Sequence, residues 1–432
     1  MRKSCILILI GLFLFPLCLG AEVADIKKEV PLTNLLEEIT LVVSKARGLS
    51  FKAPVKHGVK TKTELRDYLQ KLLREEVPQE KLRAYQKALV KFGLIPADLD
   101  LESFLLELYT EQVAGFYDWR TKSLYLIGDT PAELLKIIVA HELTHALQDQ
   151  YVGIENLPSI KEKNNDDRLL ATQALLEGDA MSVMVDYVLI PTGQDSTALP
   201  DLSPFIRDFV GLMGGQLMAK APPYFQYNML FPYLNGLTFI QQLRQSGGWA
   251  MVDRALKEPP MSTEQVLHPE KYLVQMDPPT FVSLPSLSRG LGPGWVYLDK
   301  NALGEFNTAF LLQSAAGGPG GESQELARGW DGDLYQVYEE QSSGKVALVW
   351  FTTWDSPKDA QKFFKDYSAL LVKKYGVRAT ASEAQHLLFY HQGEAIYIEW
   401  RGLDVLVLEG VPQGSLDPVR NSAWQVTKTE RP

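Results

Sequence analysis

Cysteine is almost absent from this sequence. The only two cysteines, Cys5 and Cys18, lie within the first twenty residues. If that segment is removed from the mature protein, the remaining chain has no thiol and no disulfide, which excludes metal binding by thiolates. Any metal site in the rest of the chain would have to use His, Asp or Glu side chains.

Long apolar runs are also absent, with one exception at the N-terminus. Residues 1–20 combine a basic start at Arg2 and Lys3 with an apolar run over residues 5–19. This run is short for a membrane span and no stop-transfer pattern follows it, so it predicts a cleaved secretory signal. The alternative is an uncleaved anchor. We expect export to the periplasm or the extracellular space, with no membrane span after cleavage.

Basic residues are fewer than acidic residues. The chain of 432 residues has 43 Lys and Arg against 53 Asp and Glu, a net charge of −10. Loss of Arg2 and Lys3 with the signal would make this about −12. Such an acidic balance argues against a nucleic-acid partner. The length and a hydrophobic content of 46% suffice for two or three domains.

Hydrophobic periodicity divides the chain into four parts. Residues 1–20 are the signal, 21–101 form a helical region packed on the core, 102–293 form the core, and 294–432 form a C-terminal module. Within the core, a hairpin is predicted from Gly115 through a turn at 118–122 to a strand at 123–127, followed by a helix that begins at Pro131. After Pro293, helix and strand patterns predict a small antiparallel α+β module.

The sequence His141-Glu142-Leu143-Thr144-His145 lies within the helical pattern that begins at Pro131. Residues four apart share one face of a helix, so both imidazoles can bind the same zinc ion while Glu142 serves as a general base. Chance would produce this pattern roughly 0.005 times in a chain of this composition. The alternative, a surface pair of histidines, fits poorly with the apolar residues on either side.

A catalytic zinc site requires a third protein ligand. The metzincin spacing would place a glycine and a histidine three and six residues after His145, but Gln148 and Tyr151 occupy those positions. Glu177 lies in an apolar helical stretch where an unpaired carboxylate would be costly, and it is the predicted third ligand. The alternative is that Glu177 pairs with Arg168 or another base.

Small residues surround Glu177. Ala174, Gly178 and Ala180 would let this helix approach another closely. Asp179 follows Glu177 by two positions, about 200° around the helix, and should not bind the same metal. We expect it to hold a ligand or a neighbouring helix in place, or to solvate a helix face.

The stretch HELTHALQD resembles the active-site helix of the thermolysin-type gluzincins, a class of zinc metallopeptidases. The resemblance implies an outer-shell role for Asp149, besides the roles already given to the two histidines, Glu142 and Glu177. One departure is Met181, because gluzincins place an aspartate four residues after the third ligand to orient a ligating histidine.

More widely, the segments from Gly115 to about Tyr335 are similar to an uncharacterised group of exported bacterial HExxH proteins that pair HELTHALQDQ with EGDA. These resemblances imply an α+β fold. Its expected parts are a mainly helical zincin-type core with a small edge-strand sheet and the C-terminal antiparallel module.

The expected activity is hydrolysis of peptide bonds in a peptide or protein substrate, with Zn²⁺ as cofactor and Glu142 as base. His268 and Tyr272 are candidates for stabilising the oxyanion, although a structural role for His268 is an equal alternative. The hairpin Gly115–Ile127 is expected to pair with extended substrate. Two other functions stay open: an inactive zinc-binding or protein-interaction protein of the cell envelope, and a zinc hydrolase acting on a non-peptide bond.

Overall fold

The computed structural model describes residues 32–128, 132–162, 164–199, 202, 215–316, 323–377, 381–383 and 385–429. The predicted signal at residues 1–20 lies outside these ranges. No helix within them is long and apolar enough to cross a membrane.

The part of the chain that the structure describes contains fifteen α-helices. In chain order they are α1 Leu32–Arg47, α2 Lys62–Glu76, α3 Gln79–Phe92, α4 Leu101–Gln112, α5 Ala132–Val152, α6 Pro158–Lys161, α7 Asp166–Leu189, α8 Gln216–Lys220, α9 Pro223–Lys257, α10 Thr263–Leu267, α11 Glu270–Leu273, α12 Ser288–Leu291, α13 Gly304–Ala316, α14 Pro357–Tyr375 and α15 Leu416–Ala423.

The described strands form three sheets. In chain order they are β1 Lys56–Lys60, β2 Gly115–Asp118, β3 Ser123–Ile127, β4 Phe281–Ser283, β5 Trp295–Asn301, β6 Trp330–Glu340, β7 Val346–Trp354, β8 Ala381–Glu383, β9 His386–His391, β10 Glu394–Arg401, β11 Asp404–Pro412 and β12 Thr427–Thr429. The sheet orders are β1-β3-β2, β5-β6-β7-β11-β10-β9-β8 and β12-β4.

The chain divides into two compact units whose boundaries differ from those predicted. The first unit consists of residues 1–78, 99–163 and 169–260, and the second consists of 79–98, 164–168 and 261–432. The predicted N-terminal region 21–101 is therefore split between the units, and residues 261–293 join the C-terminal unit. The reason for the split is that α3 packs on the large sheet, where Phe92 contacts Tyr335 and Trp350 edge to face.

The first unit is mainly helical and carries the three-stranded sheet. Its core contains Ile39 of α1, Leu126 of β3, Leu143 of α5 and Met184 of α7, all of them almost fully buried. The apolar residues on either side of the histidines are buried, namely Ile138, Val139, Leu143 and Leu147, whereas Ile137 is only partly buried. Because α5 is apolar around most of its circumference, it is surrounded by other elements of the fold and does not expose one face to solvent.

The predicted hairpin forms β2 and β3. Asp118 accepts hydrogen bonds from the N–H of Arg120 and the hydroxyl of Thr121, which closes the turn between the strands. The two strands are antiparallel, whereas β1 joins the other edge of β3 in parallel. The sheet order is thus β1-β3-β2, so β2 rather than β3 lies at a sheet edge.

The second unit is built on the antiparallel sheet of seven strands. One face packs against α14, where Trp350 contacts Phe363 and Tyr367. The other face carries a core that includes Phe351, together with Leu291 of α12 and Val419 of α15. The α+β class predicted for this region is confirmed, but the sequence patterns did not reveal β5, β8 or α15.

Candidate metal centre

Helices α5 and α7 bring the three predicted ligands together in the first unit. His141 Nε2 lies 3.1 Å from His145 Nε2 and 3.1 Å from Glu177 Oε2. His145 Nε2 lies 3.6 Å from the same carboxylate oxygen. Both histidines are fully buried, and Glu177 is 3% exposed. Three ligand-type atoms therefore converge on one point in the interior.

The separations of these atoms suit a tetrahedral zinc ion. Ligand atoms bound to zinc at about 2.0–2.1 Å in a tetrahedron lie about 3.3–3.4 Å from one another. The observed values of 3.1, 3.1 and 3.6 Å bracket that range. Two imidazoles and one carboxylate are also a donor set typical of catalytic zinc. The residues present thus fit the metal that the sequence predicts.

The ionisation of two ligands favours the forms that bind a cation. Burial lowers the pKa of His141, an effect that His145 reinforces, although Glu177 opposes it. Burial by itself raises the pKa of Glu177, but the charges and hydrogen bonds of His145 and His141 outweigh it, so the pKa is lowered. Neutral imidazole and ionised carboxylate are the ligating forms.

A close approach between α7 and α9 fixes the position of Glu177. A Cβ atom added to Gly178 would lie 2.2 Å from the carbonyl oxygen of Gly236. The reciprocal atom on Gly236 would lie 2.1 Å from the carbonyl oxygen of Ala174. The small residues around Glu177 therefore do allow the close helix contact that the sequence predicts. In the same region, the ring of Tyr233 on α9 lies 6.3 Å from that of His141.

Glu142 adjoins the ligands and contacts the edge strand β2. Its Oε2 accepts a hydrogen bond of 2.7 Å from the N–H of Tyr117, while its Oε1 is buried with no hydrogen-bond partner in the described part of the chain. Burial raises the pKa of Glu142 well above its usual value, and the charge of Glu177 adds to this effect. In the predicted base, a hydrogen bond thus holds one carboxylate oxygen, and the other has no hydrogen-bond partner among the described residues.

Asp149 and Asp179, which were predicted to support the site from outside the metal ligands, form hydrogen bonds with neighbouring elements. Asp149 accepts hydrogen bonds from the Tyr117 hydroxyl at 2.7 Å and the Lys122 ammonium at 3.0 Å, so it ties α5 to the hairpin. Asp179 accepts from Gln148 at 3.1 Å and from Arg47 at 2.8 Å. Asp179 thus holds a neighbouring helix, one of the roles predicted for it.

His268 and Tyr272, the candidates for stabilising the oxyanion, belong to the second unit. The imidazole of His268 contacts Glu305 at 2.9 Å, and Tyr272 is buried in α11. The contact with Glu305 is consistent with the structural alternative for His268. A catalytic role for either residue stays a prediction.

A second group with metal-ligand side chains lies in the second unit. Glu264, Asp277 and Asp355 have carboxylate oxygens within 4.8 Å of one another. Lys271 lies among them, with its ammonium 2.6, 2.9 and 2.7 Å from the three carboxylates in that order. The ammonium group of Lys271 is therefore the cation that these three carboxylates surround.

Three residues of the site were not predicted from the sequence: Tyr117, Gln148 and Tyr233. The contact of Tyr117 with Glu142 uses a main-chain N–H, which no side-chain pattern reveals. Gln148 lies three residues after His145 on the same helix, and that spacing was an available signal because such residues are neighbours on a helix surface.

Comparison with known proteins addresses only the second unit. Residues 296–420 match a domain of unknown function, DUF8575. No curated protein and no solved structure matches the chain. The match begins in β5 and ends in α15, so it contains most of the large sheet and none of the residues of the candidate metal centre.

Proposed function

We propose that this chain is an exported zinc-dependent peptidase with a gluzincin-type site in a zincin-type core. Its ligands are His141, His145 and Glu177, and its base is Glu142. The observation that supports this proposal is the convergence of three buried donor atoms beside a buried carboxylate. When bound there, zinc supplies Lewis acidity, which polarises a carbonyl group and makes a water molecule more acidic. Export rests on the predicted signal.

The surroundings of Glu142 favour a role in proton transfer. The Tyr117 N–H holds Oε2, so Oε1 is the atom that takes the proton from the attacking water and returns it to the leaving amine. Burial raises the pKa of Glu142, which makes its carboxylate a stronger proton acceptor than that of an exposed glutamate.

The side of β2 that faces away from β3 is the proposed place for the substrate backbone, although the four residues of β2 are buried and the Tyr117 N–H is already bonded to Glu142. Ile127 donates its N–H to the carbonyl of Ala114, so the alternate residues Gly115 and Tyr117 direct their N–H and C=O groups away from β3. The hydrogen bond from Tyr117 to Glu142 agrees with this alternation. No described strand pairs with that side of β2. An extended peptide could pair there next to the base.

The test combines zinc analysis with cleavage of a broad peptide library. We expect the wild-type protein to bind one zinc ion and to lose activity with a chelator. Glu142→Gln should keep its zinc and lose activity at least about 100-fold, whereas Glu258→Gln, an exposed glutamate at the end of α9, serves as the control. His141→Ala should lose zinc, and His57→Ala, an exposed histidine on β1, should retain it.

The outcomes separate the candidate functions. Wild-type cleavage by Glu142→Gln would contradict the assignment of the base. Stoichiometric zinc without cleavage of any peptide would favour the inactive zinc-binding alternative. Hydrolysis of an ester library but not of peptides would favour a zinc hydrolase acting on another bond.

A further inference from the structure

Gln148 connects a metal ligand on α5 to the helix that carries the third ligand. It is 1% exposed, and its side chain has three polar neighbours. The Oε1 atom lies 2.9 Å from His145 Nδ1, and Nε2 donates to the carbonyl of Leu176 at 2.8 Å and to Asp179 Oδ2 at 3.1 Å. One amide therefore links His145 to α7 on both sides of Glu177.

These contacts fix the orientation of the amide. A main-chain carbonyl and a carboxylate can only accept hydrogen bonds, so the side of Gln148 that faces Leu176 and Asp179 must be the NH₂ group. The oxygen then faces His145. Since this oxygen can only accept, His145 carries a proton on Nδ1, and in the neutral imidazole Nε2 is then the nitrogen without a proton.

This tautomer is the one that the metal centre requires. The Nε2 atom of His145 is the atom that faces His141 Nε2 and Glu177 Oε2. Ligating histidines commonly donate their other N–H to an oxygen acceptor, which sets both the tautomer and the ring orientation. Met181, one turn after Glu177 on α7, is fully buried and has no carboxylate or amide to offer as such an acceptor.

The chain of contacts continues beyond Gln148. Asp179 Oδ1 accepts from Arg47 Nε at 2.8 Å, and the same guanidinium donates to Asp253 at 2.7 Å. Both oxygens of Asp179 are thus engaged by donors, which holds its carboxylate in the position that Gln148 needs. Arg47 is 1% exposed, so solvent competes little for these bonds.

We propose that Gln148 is the positioning residue of the metal centre. It holds His145 in the tautomer protonated on Nδ1, and it ties α5 to the turn of α7 that carries Glu177. A neutral amide performs this role because it both accepts from His145 and donates to Asp179, which a carboxylate cannot do. This inference rests on the proposed metal site but not on the bond that is hydrolysed.

The test measures zinc affinity by chelator competition in the full chain. Gln148→Met keeps the length of the side chain but removes the acceptor and both donors. Gln148→Glu keeps an acceptor for His145 and places a second carboxylate beside Asp179. We expect either variant to raise the zinc Kd about 10- to 100-fold. Gln150→Ala is the matched control, because this glutamine lies on the same helix and bonds to Lys52 and Ala53 instead.

A second readout separates positioning from general loss of structure. The visible spectrum of the Co²⁺-loaded protein reports the ligand geometry, and it should change in the Gln148 variants but not in Gln150→Ala. Melting of the metal-free proteins identifies any variant that fails to fold, in which case the other Gln148 variant decides. Zinc binding within twofold of wild type and an unchanged cobalt spectrum in the folded variants would overturn the proposal.

The peptidase proposal can be wrong even if the proposal for Gln148 is right. A wild-type protein that binds zinc but cleaves no peptide would overturn the peptidase proposal and leave the expected effect of Gln148 on zinc affinity intact. A wild-type protein that binds no zinc would overturn both.

Discussion

The contact between Gly178 and Gly236 makes Gly178→Ala an informative substitution. In an ordinary helix this change is favourable, because alanine is a better helix former than glycine by about 1 kcal/mol. Here the new Cβ atom would lie 2.2 Å from the carbonyl oxygen of Gly236. Heavy atoms in optimal contact lie about 3.5–4.0 Å apart, so α7 and α9 would have to separate by roughly 1 Å or more.

The clash should exceed the gain in helix propensity. Overpacking of a close-packed interior typically costs about 1–3 kcal/mol and sometimes more. The atom in the way belongs to the backbone of another helix, so it cannot move aside as a side chain does, and the upper part of that range applies. After the gain of about 1 kcal/mol is subtracted, we expect a net destabilisation of about 2 kcal/mol.

Calorimetry of the metal-free protein tests this expectation. A loss of about 2 kcal/mol corresponds to a melting temperature lower by roughly 4–8 °C in a domain of 150–250 residues. Zinc affinity should fall as well, because Glu177 moves with its helix. Gly414→Ala is the control, since no atom lies within 4 Å of an added Cβ there. Melting of Gly178→Ala at or above the wild-type temperature would refute the reasoning.

Two further substitutions test buried charges. Burial raises the pKa of Asp167 from 3.8 to about 7, although hydrogen bonds from Thr263 oppose the shift. The folded state therefore binds more protons than the unfolded state between pH 4 and 7, so Asp167 contributes stability that is lost as the pH rises through 7. Between pH 5 and pH 8, the free energy of unfolding should fall less in Asp167→Asn than in the wild type, by up to roughly 3 kcal/mol. Melting temperatures that change equally with pH in the two proteins would contradict this. Arg47→Met leaves the buried Asp179 without its cation and should cost about 3–5 kcal/mol. Adding Asp179→Asn should recover part of the melting temperature, and no recovery would argue against the ion pair.

The sequence predicted the metal ligands because their chemistry depends on spacing within helices. His141 and His145 share a helix face whatever the rest of the fold does. Glu177 stands out because a carboxylate in an apolar helix needs a partner. The hairpin was predictable for a similar reason, since its alternating pattern and its turn are local. Each of these features is encoded within a few consecutive residues.

Contacts that depend on how elements pack were not predictable in this way. The hydrogen bond from Tyr117 to Glu142 requires β2 to be the edge strand, which the local pattern does not specify. The link from Gln148 to Asp179 requires a particular rotation of α5 against α7. Likewise, the apolar face of α3 looks the same whether it packs on the core or on the large sheet. Its membership in the second unit therefore became visible only in the fold.

The match to DUF8575 and the proposed chemistry concern different parts of the chain. The match covers residues 296–420, which lie in the second unit, whereas the proposed ligands and the proposed base lie in the first. A protein that shares only the matched region therefore provides no ground for assigning it a peptidase site. Transfer of the function would require the HExxH pattern, a buried glutamate on a following helix and an acceptor for the second histidine. In this chain the last condition is met by Gln148, so its equivalent is the most discriminating position to compare.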